Sequence, residues 1–279
     1  MRFFVLISTI DKGICEVPEV LLPERNGVQY VVSWQISDER SIGQSAWEAE
    51  AMLRGRGDVT LTKMEGRGLS RNRNHAIATM LGLLKHPLED AICVIADDDE
   101  RLMPEAFERL HAIYERYPKM DGALMRLRSR TDGEYFKPYP KELTLYGHHP
   151  RSYYVCSWEM TFRARVWQAG IRFDERFGLG AEELCAGEED VLLTDMLRKG
   201  LKVLIVPDDI GYTDPLTTGT RVLDERVLRS KGALYGYQHS LLEAVVRSMR
   251  EALGIGVRQK VNPWHVMKEL MYGINYIRR

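Results

Sequence analysis

The sequence predicts an α/β protein in which helices flank a mostly parallel central sheet, with a helical C-terminal extension. The first observation behind this fold class is the apolar run at residues 91–96. It is short and bounded by charged residues, as is typical of a fully buried strand. The second observation is that other strand-like segments are separated by segments with helical apolar spacing. This alternation favours a parallel sheet.

The composition is that of an ordinary globular protein. The chain has 279 residues, of which 44% are hydrophobic and 28% are charged, so it can bury a large core. Its net charge of -1 gives no electrostatic basis for nucleic-acid binding, and no nucleic-acid partner is expected. No stretch is long enough to span a bilayer. The four widely spaced cysteines follow neither a zinc nor a secreted disulfide pattern, which predicts reduced thiols and a cytoplasmic protein.

Three strands are predicted before the apolar run, at residues 1–9, 30–34 and 59–62. In an open α/β sheet the carboxyl ends of the strands face the ligand crevice. Ser8 and Thr9, at the end of the first strand, are therefore expected at that edge.

A helix is predicted to open at residues 68–70, with Ser70 as its N-cap. Its first turn contains Arg71 and Arg73, although cations are disfavoured at the positive end of a helix dipole. Two arginines there indicate a compensating anion such as a phosphate group. The alternative is that the side chains point into solvent, which we favour for Arg71.

Four consecutive acids, Asp97, Asp98, Asp99 and Glu100, follow the buried strand. If the chain stays extended, Asp97 and Asp99 point the same way and Asp98 the other way. Two carboxylates on one side form a hard oxygen site suited to Mg²⁺ or Mn²⁺. The alternative is a solvated turn, or acids that complement the dipole of a helix starting near Pro104.

The rest of the chain continues the alternation of helices and strands. Its apolar spacing and turn residues predict a helix from Pro104 to Pro118, a strand at 122–127, an irregular segment at 129–154, a helix at 191–199, a strand at 201–206 that Pro207 ends, and mainly helices from Thr220 onward. Glu188, Glu189 and Asp190 precede the helix at 191–199. They form a second acidic landmark, or they merely complement the dipole of that helix.

In order and spacing, these landmarks resemble family 2 glycosyltransferases of the GT-A fold over residues 3 to 219. The motifs that carry the resemblance are Ser8-Thr9 at a strand end, Gly68-Leu-Ser-Arg-Asn-Arg-Asn-His-Ala-Ile77, Asp97-Asp98-Asp99, Phe173-Asp-Glu-Arg-Phe-Gly-Leu-Gly180 and Gly187-Glu-Glu-Asp190. The resemblance implies a glycosyltransferase domain at 1–219, with the helical extension at 220–279.

The resemblance also implies site roles. Asp97 and Asp99, as the DXD motif, would hold Mn²⁺ or Mg²⁺ on the diphosphate of a nucleotide-sugar, and Asp98 would lie near the ribose or the metal. Asp190 would be the general base of an inverting transfer. The remaining candidates for substrate binding are Thr9 near the base, Arg73 and Asn74 near the phosphates, Glu189, and Trp158, for which a core position is the alternative.

Two positions depart from the family pattern. Trp34 and Gln35 stand where the family commonly has an aspartate that contacts the base, which leaves the nucleobase open. Where a histidine often completes the metal site, this chain has Asp214, and either Asp214 or water would be the third ligand. The expected donor is a nucleotide-sugar, with a UDP-sugar favoured. The expected acceptor is a hydroxyl of a glycan or lipid-linked sugar.

Other functions stay open at the level of sequence. The C-terminal helices, rich in aromatic, aliphatic and basic residues, could contact a membrane peripherally, the core or a second subunit. A nucleotidyltransferase would also use acids at strand ends, but Ser8–Gly13 is a poor version of its glycine-rich phosphate loop. A catalytically silent protein that binds nucleotide-sugars is the other alternative.

Overall fold

The computed structural model describes residues 1–86, 89–150, 152–213 and 223–279. These residues form two compact units. The first contains the described residues within 1–67, 72–172 and 196–213, and the second contains residues 68–71, 173–195 and 223–279. The predicted domain boundary at 219/220 lies outside the described residues and stays a prediction.

The first unit contains one mixed sheet with the strands β1 (Arg2–Ile10), β2 (Val28–Ile36), β3 (Val59–Glu65), β4 (Ala91–Asp97), β5 (Arg101–Leu102), β6 (Gly122–Ser129), β7 (Thr144–Leu145), β8 (Met160–Arg163) and β9 (Val203–Thr213). They run in the order β3-β2-β1-β4-β8-β6-β9-β5, with β7 paired to β9. The longer pairings, β1 with β2 and β4, β2 with β3, and β6 with β9, are parallel. The shorter pairings are antiparallel.

The α-helices of the described residues confirm the α/β class. They are α1 (Val17–Val20), α2 (Gln44–Arg54), α3 (Leu69–Gly82), α4 (Ala106–Arg116), α5 (Ala164–Gln168), α6 (Glu188–Arg198), α7 (Glu225–Gln238), α8 (Leu241–Gln259) and α9 (Pro263–Arg278). Helices α7 to α9 belong to the second unit and form the predicted helical C-terminal part. Across the described residues, no helix combines the length and the apolar character that crossing a membrane requires.

The central strands bury nearly every side chain, which explains why their sequences are continuous apolar runs rather than alternating ones. In β4, residues 91–96 are all buried, and β1 is buried from Phe3 to Thr9. The parallel register pairs Ser8 with Asp97 and Thr9 with Trp34. The polar end of β1 therefore lies beside the first acid of β4, at the carboxyl edge of the sheet.

Two local predictions were wrong. Pro207 does not end the last strand, because β9 continues to Thr213. The pairing of β6 with β9 shifts register between Ile205 and Asp209, and this irregularity accommodates a residue that has no N–H to donate. Ser70 is not the N-cap of α3, which begins at Leu69. Its hydroxyl instead donates a hydrogen bond to the carbonyl of Phe177 at 2.6 Å.

In the second unit, glycines let α7 and α9 approach closely. A Cβ at Gly273 would lie 1.9 Å from the carbonyl oxygen of Arg229, and one at Gly232 would lie 2.0 Å from the carbonyl oxygen of Leu270. Such contacts are too short for any side chain, so both positions require glycine. Apolar side chains complete this packing: Leu228, Ala252, Ile255, Val266 and Leu270.

We expect Gly273→Ala to lower the free energy of unfolding by about 1–3 kcal/mol or more, because the added methyl group meets backbone atoms that cannot rotate away. Gly254→Ala in α8 is the matched control. There the nearest atom to an added Cβ is the flexible Arg258 side chain at 3.6 Å. The control should be neutral or stabilising by up to about 1 kcal/mol, the difference in helix propensity. Thermal and urea unfolding would measure both, and equal effects would contradict the packing argument.

Candidate functional site

The ends of β1 and β4 form a polar cluster in the first unit. The Thr9 hydroxyl donates a 2.6 Å hydrogen bond to the Asp98 carboxylate. Gly13 allows this contact, since a Cβ there would lie 2.2 Å from the Asp98 carboxylate and 2.7 Å from the Thr9 hydroxyl. Burial raises the pKa of Asp98 to about 6, the Thr9 hydrogen bond opposes this shift, and the charges of Asp97 and Asp99 add to it.

Asp97 is held by a different set of partners. The guanidinium of Arg73 lies 3.1 Å from one of its carboxylate oxygens, and the Ser157 hydroxyl donates to the other at 3.3 Å. The side chain of Arg73 is only 2% exposed, whereas Asp97 keeps a solvent-accessible face. The anion beside Arg73 in this structure is the carboxylate of Asp97, and the predicted phosphate contact stays a prediction. Arg71 is exposed, as favoured from the sequence.

Asp97 is the last residue of β4, and residues 98 and 99 form a turn, so strand alternation does not continue through them. Asp99 is exposed, while the next residue, Glu100, is 3% exposed. Among the described residues, neither carboxylate oxygen of Glu100 has a hydrogen-bond partner. Burial raises the pKa of Glu100 well above its ordinary value, and the nearby charges of Asp97 and Asp99 raise it further. Glu100 therefore adds a buried carboxyl group to this cluster.

The loop after β1 is fixed to the end of β2. The Trp34 indole N–H donates to the carbonyl of Asp11 at 2.9 Å, and the Asp11 carboxylate accepts from the backbone N–H and the hydroxyl of Ser37 at 2.7 and 2.6 Å. Asp11 has a φ of 48°, in the left-handed region. Trp34 thus has a structural role in shaping this loop, and Gln35 beside it is buried.

A buried ion pair supports the segment that carries Ser157. The ammonium of Lys137 contacts the carboxylate of Glu159, and both side chains are inaccessible to solvent. The Tyr153 hydroxyl donates to the same carboxylate at 2.5 Å. Burial raises the pKa of Glu159, and the positive charge of Lys137 opposes the shift. Trp158 lies between Ser157 and Glu159 and packs partly buried against the core, which supports its core alternative.

The remaining predicted site residues are distributed as follows. Asn74 lies half-buried in α3, near Asn72, whose amide donates to the Thr9 carbonyl at 2.9 Å. Glu189 and Asp190 lie half-buried in the first turn of α6, within the second unit. Asp214 falls outside the described residues. All four cysteines are free thiols.

Several residues of this cluster were not predicted. Gly13, Asn72, Ser157 and Lys137 each acquire their role from a contact with a residue distant in sequence. Only Asn72 had a nearby signal, because it lies between Arg71 and Arg73 near the start of α3. Glu100 was visible as the fourth acid of the run, but its burial was not.

The acidic cluster offers the oxygen donors that Mn²⁺ and Mg²⁺ prefer. Within the described residues, the cluster does not bring three carboxylates to within 4.8 Å of one another. This donor set fits a cation held by one or two carboxylates and completed by phosphate and water oxygens. The described residues do contain one trio of potential ligands, Glu225, His265 and Glu269. There the guanidinium of Arg229 already lies 2.7 Å from Glu269 and supplies the positive charge.

Comparison with solved structures identifies proteins of the same fold. A fragment of S. aureus TarS, residues 1–349, matches with a TM-score of 0.61 and 15% identity, over 98% of this chain and 81% of the fragment. A longer S. aureus TarS structure matches with a TM-score of 0.56 and 13% identity, over 91% of this chain and 44% of that one.

The mannosyltransferase PcManGT from Pyrobaculum calidifontis, solved in complex with GDP-Man and Mn²⁺, matches with a TM-score of 0.54 and 13% identity. The match covers 99% of this chain and 87% of the mannosyltransferase. The chain has a glycosyltransferase fold. No family model and no curated protein sequence matches it.

We expect Thr9→Val to destabilise the metal-free protein more at neutral than at acid pH. The folded-state pKa of Asp98, about 6, exceeds the unfolded value of about 3.9, so the folded state binds more protons between them. The stability from this group is therefore full below pH 4 or so and is lost as the pH rises through about 6. Removing the hydroxyl should cost about 2 kcal/mol where Asp98 is ionised and about 1 kcal/mol where it is neutral.

Unfolding in a chelating buffer at about pH 4.5 and about pH 7.5 would measure this difference. Thr60→Val is the matched control, because the Thr60 hydroxyl accepts a 2.9 Å hydrogen bond from the neutral amide of Gln29. Its effect should not change with pH. A Thr9→Val effect of equal size at both pH values would contradict the assignment of the Asp98 charge to this hydrogen bond.

Proposed function

We propose that this protein is an inverting, divalent-metal-dependent glycosyltransferase of family 2. In this proposal it transfers a sugar from a nucleotide-diphosphate sugar to a hydroxyl acceptor, in polysaccharide or glycoconjugate synthesis. The observation that carries the proposal is the Asp97 carboxylate, which the buried guanidinium of Arg73 holds at the carboxyl end of β4. The mannosyltransferase that shares this fold, solved with GDP-Man and Mn²⁺, supports it.

In the proposed mechanism, Asp97 and Asp99 would hold Mn²⁺ or Mg²⁺. The cation would neutralise negative charge that grows on the leaving diphosphate oxygen as the glycosidic bond breaks. Arg73, whose guanidinium lies 3.1 Å from the Asp97 carboxylate, offers a second positive charge, and Asn74 follows it in α3. Thr9 and Asp98, joined by a hydrogen bond, would position the nucleoside portion of the donor.

The acceptor half of the reaction requires a base. We assign this role to Asp190, with Glu189 beside it as a substrate contact. The Asp190 carboxylate would take the proton of the acceptor hydroxyl as the oxygen bonds to the anomeric carbon. The bond from that carbon to the diphosphate breaks on the opposite face, so the anomeric configuration inverts. Trp158 stays a candidate contact for the acceptor.

The identity of the donor base is a separate part of the proposal. A UDP-sugar is our first candidate from the sequence resemblance, while the mannosyltransferase of the same fold was solved with GDP-Man. Trp34 and Gln35 stand where the family commonly has an aspartate that contacts the base. Both are buried, and the Trp34 indole N–H donates a hydrogen bond to the loop after β1. Titration of UDP and GDP in the presence of Mn²⁺ would distinguish the two bases.

We expect Asp99→Ala to abolish the Mn²⁺-dependent part of nucleoside-diphosphate binding. Losing one of two carboxylate ligands should weaken that binding by roughly tenfold to a hundredfold, since the cation links the protein to the phosphates. Calorimetry with UDP and GDP, with and without Mn²⁺, would measure it. The control is Asp132→Ala, which removes an exposed carboxylate from a turn in the same unit. Unchanged Mn²⁺ dependence in Asp99→Ala would contradict the metal assignment.

We expect Asp190→Asn to lower the turnover number by on the order of a hundredfold or more, the usual scale for a general base, with nucleotide affinity nearly unchanged. Glu182→Gln neutralises an exposed acid nearby in the chain and should leave turnover intact. A panel of nucleotide-sugars, scored first by thermal stabilisation with Mn²⁺, would supply the donor for this assay. Near-normal turnover of Asp190→Asn would refute its role as the base.

The same donor panel separates the alternatives. A transferase should hydrolyse its nucleotide-sugar slowly when the acceptor is absent, whereas a silent binding protein should be stabilised by the donor without hydrolysing it. A nucleotidyltransferase should form a nucleotide-sugar from a nucleoside triphosphate and a sugar phosphate, releasing pyrophosphate.

A further inference from the structure

Helix α8 of the second unit has an apolar face that the described residues leave uncovered. Five large side chains, Leu242, Val246, Met249, Leu253 and Val257, are each between 46% and 80% exposed. Their spacing of three or four residues places them on one side of the helix. We call these five residues the α8 stripe.

The opposite side of α8 is already used for packing. Ala244, Ser248, Ala252, Ile255 and Gly256 are buried there. The helix is therefore apolar on two sides, one covered by α7 and α9 and the other exposed. Scattered exposed apolar residues need no explanation, but a continuous stripe over about four turns indicates an interaction surface.

The charges near the α8 stripe are mainly basic. Arg250 borders it, four residues after Val246 and three before Leu253, and Arg247 and Lys260 are also exposed. Residues 240–279 contain seven Lys or Arg and three Asp or Glu, whereas the whole chain has 39 and 40. Helix α8 itself carries Arg247, Arg250 and Arg258 against Glu243 and Glu251. The segment that forms α8 and α9 thus has a local excess of four positive charges, in a protein of net charge -1.

Helix α9 adds the residue types that prefer a membrane interface. Trp264 is 80% exposed, and Lys268 and Tyr272 follow it at intervals of four residues on the same side of the helix. Indole and phenol rings are favoured at the interface between the apolar interior of a membrane and water. The turn between the helices is tightly packed, because a Cβ at Gly256 would lie 2.5 Å from the ring of Pro263.

We propose that the α8 stripe, with the adjoining arginines, is a docking surface for an anionic lipid bilayer. An amphipathic helix of this kind lies in the interface plane, with its apolar side chains among the acyl chains and its cations near the lipid phosphates. A second copy of the chain fits less well. A stable interface uses about 20–30 residues from each partner, whereas this stripe offers five. This surface does not depend on the reaction proposed above.

The test uses the full chain and vesicles of phosphatidylcholine, with or without phosphatidylglycerol. We expect sedimentation with the anionic vesicles, little with the neutral ones, and weakening as salt screens the charges. Leu242→Gln, Met249→Gln and Leu253→Gln, combined in one variant, should lower the partition coefficient roughly tenfold or more. Arg247→Gln with Arg250→Gln should lower it several-fold for anionic vesicles only.

Glutamine has nearly the helix propensity of leucine and methionine, and the three positions are exposed, so this variant should fold normally. The matched control is Met52→Gln, which changes a 59% exposed methionine on α2 of the first unit.

Equal vesicle binding by the wild type and the stripe variant would overturn the proposal. A concentration-dependent dimer that the stripe variant dissolves, without vesicle binding, would show instead that a second copy covers this face. Nucleotide binding with Mn²⁺ should be the same in all variants, which separates this test from that of the proposed function.

Discussion

The ion pair between Arg73 and Asp97 is the interaction on which the polar edge of the sheet depends. A guanidinium that is almost fully buried must be paired, because an uncompensated buried charge costs several kcal/mol or so. Arg73 lies just after the first turn of α3, and the neighbouring Asn72 donates to the Thr9 carbonyl at the end of β1. Two adjacent residues thus tie the start of one helix to the ends of two parallel strands. The apparent conflict between an arginine and the helix dipole is resolved by an acid that the chain itself supplies.

Four acids that are adjacent in sequence acquire four different environments from this arrangement. Asp97 is paired with the guanidinium of Arg73, Asp98 accepts from the Thr9 hydroxyl, and Asp99 is exposed. Glu100 is buried, and no residue in the described part of the chain forms a hydrogen bond with its carboxylate. Burial raises the pKa of both Asp98 and Glu100. The guanidinium of Arg73 compensates the charge of Asp97. The acids also bring carboxylate oxygens together at the end of β4, and such oxygens are the ligands that Mn²⁺ and Mg²⁺ prefer, which is the chemical reason for expecting a divalent cation there.

The fold class could be predicted from sequence because burial on both faces leaves a clear signature, as in the uninterrupted apolar run of β4. The acidic cluster was predictable for a related reason, since charges that end a buried strand have a defined place in a parallel sheet. Short antiparallel strands such as β8, and the continuation of β9 past Pro207, were not predictable. Their pairing depends on partners about 40 to 80 residues away in the chain, and four residues carry little periodicity.

The candidate site shows the same division between local and long-range information. Arg73 was identifiable because a positive charge is unfavourable near the start of a helix, and this is a local property of the sequence. Gly13 was not, since its requirement for glycine arises from the Asp98 carboxylate, and the contact between Thr9 and Asp98 joins residues 89 positions apart. A sequence therefore indicates which residue types a site contains more readily than which glycine or serine permits their contact.

The buried ion pair of Lys137 and Glu159 adds no net charge to the polar edge of the sheet, but it affects the geometry of that edge. Replacing such a pair by apolar residues is often neutral or stabilising, so stability alone is a weak reason for its presence. The pair instead fixes a conformation. Glu159 ends the short turn that begins with Ser157, and the Ser157 hydroxyl is the second contact of Asp97. An irregular segment has few backbone hydrogen bonds to define it, and a buried salt bridge with the Tyr153 hydroxyl supplies directional contacts in their place. We therefore interpret this pair as the device that keeps Ser157 in register with the end of β4.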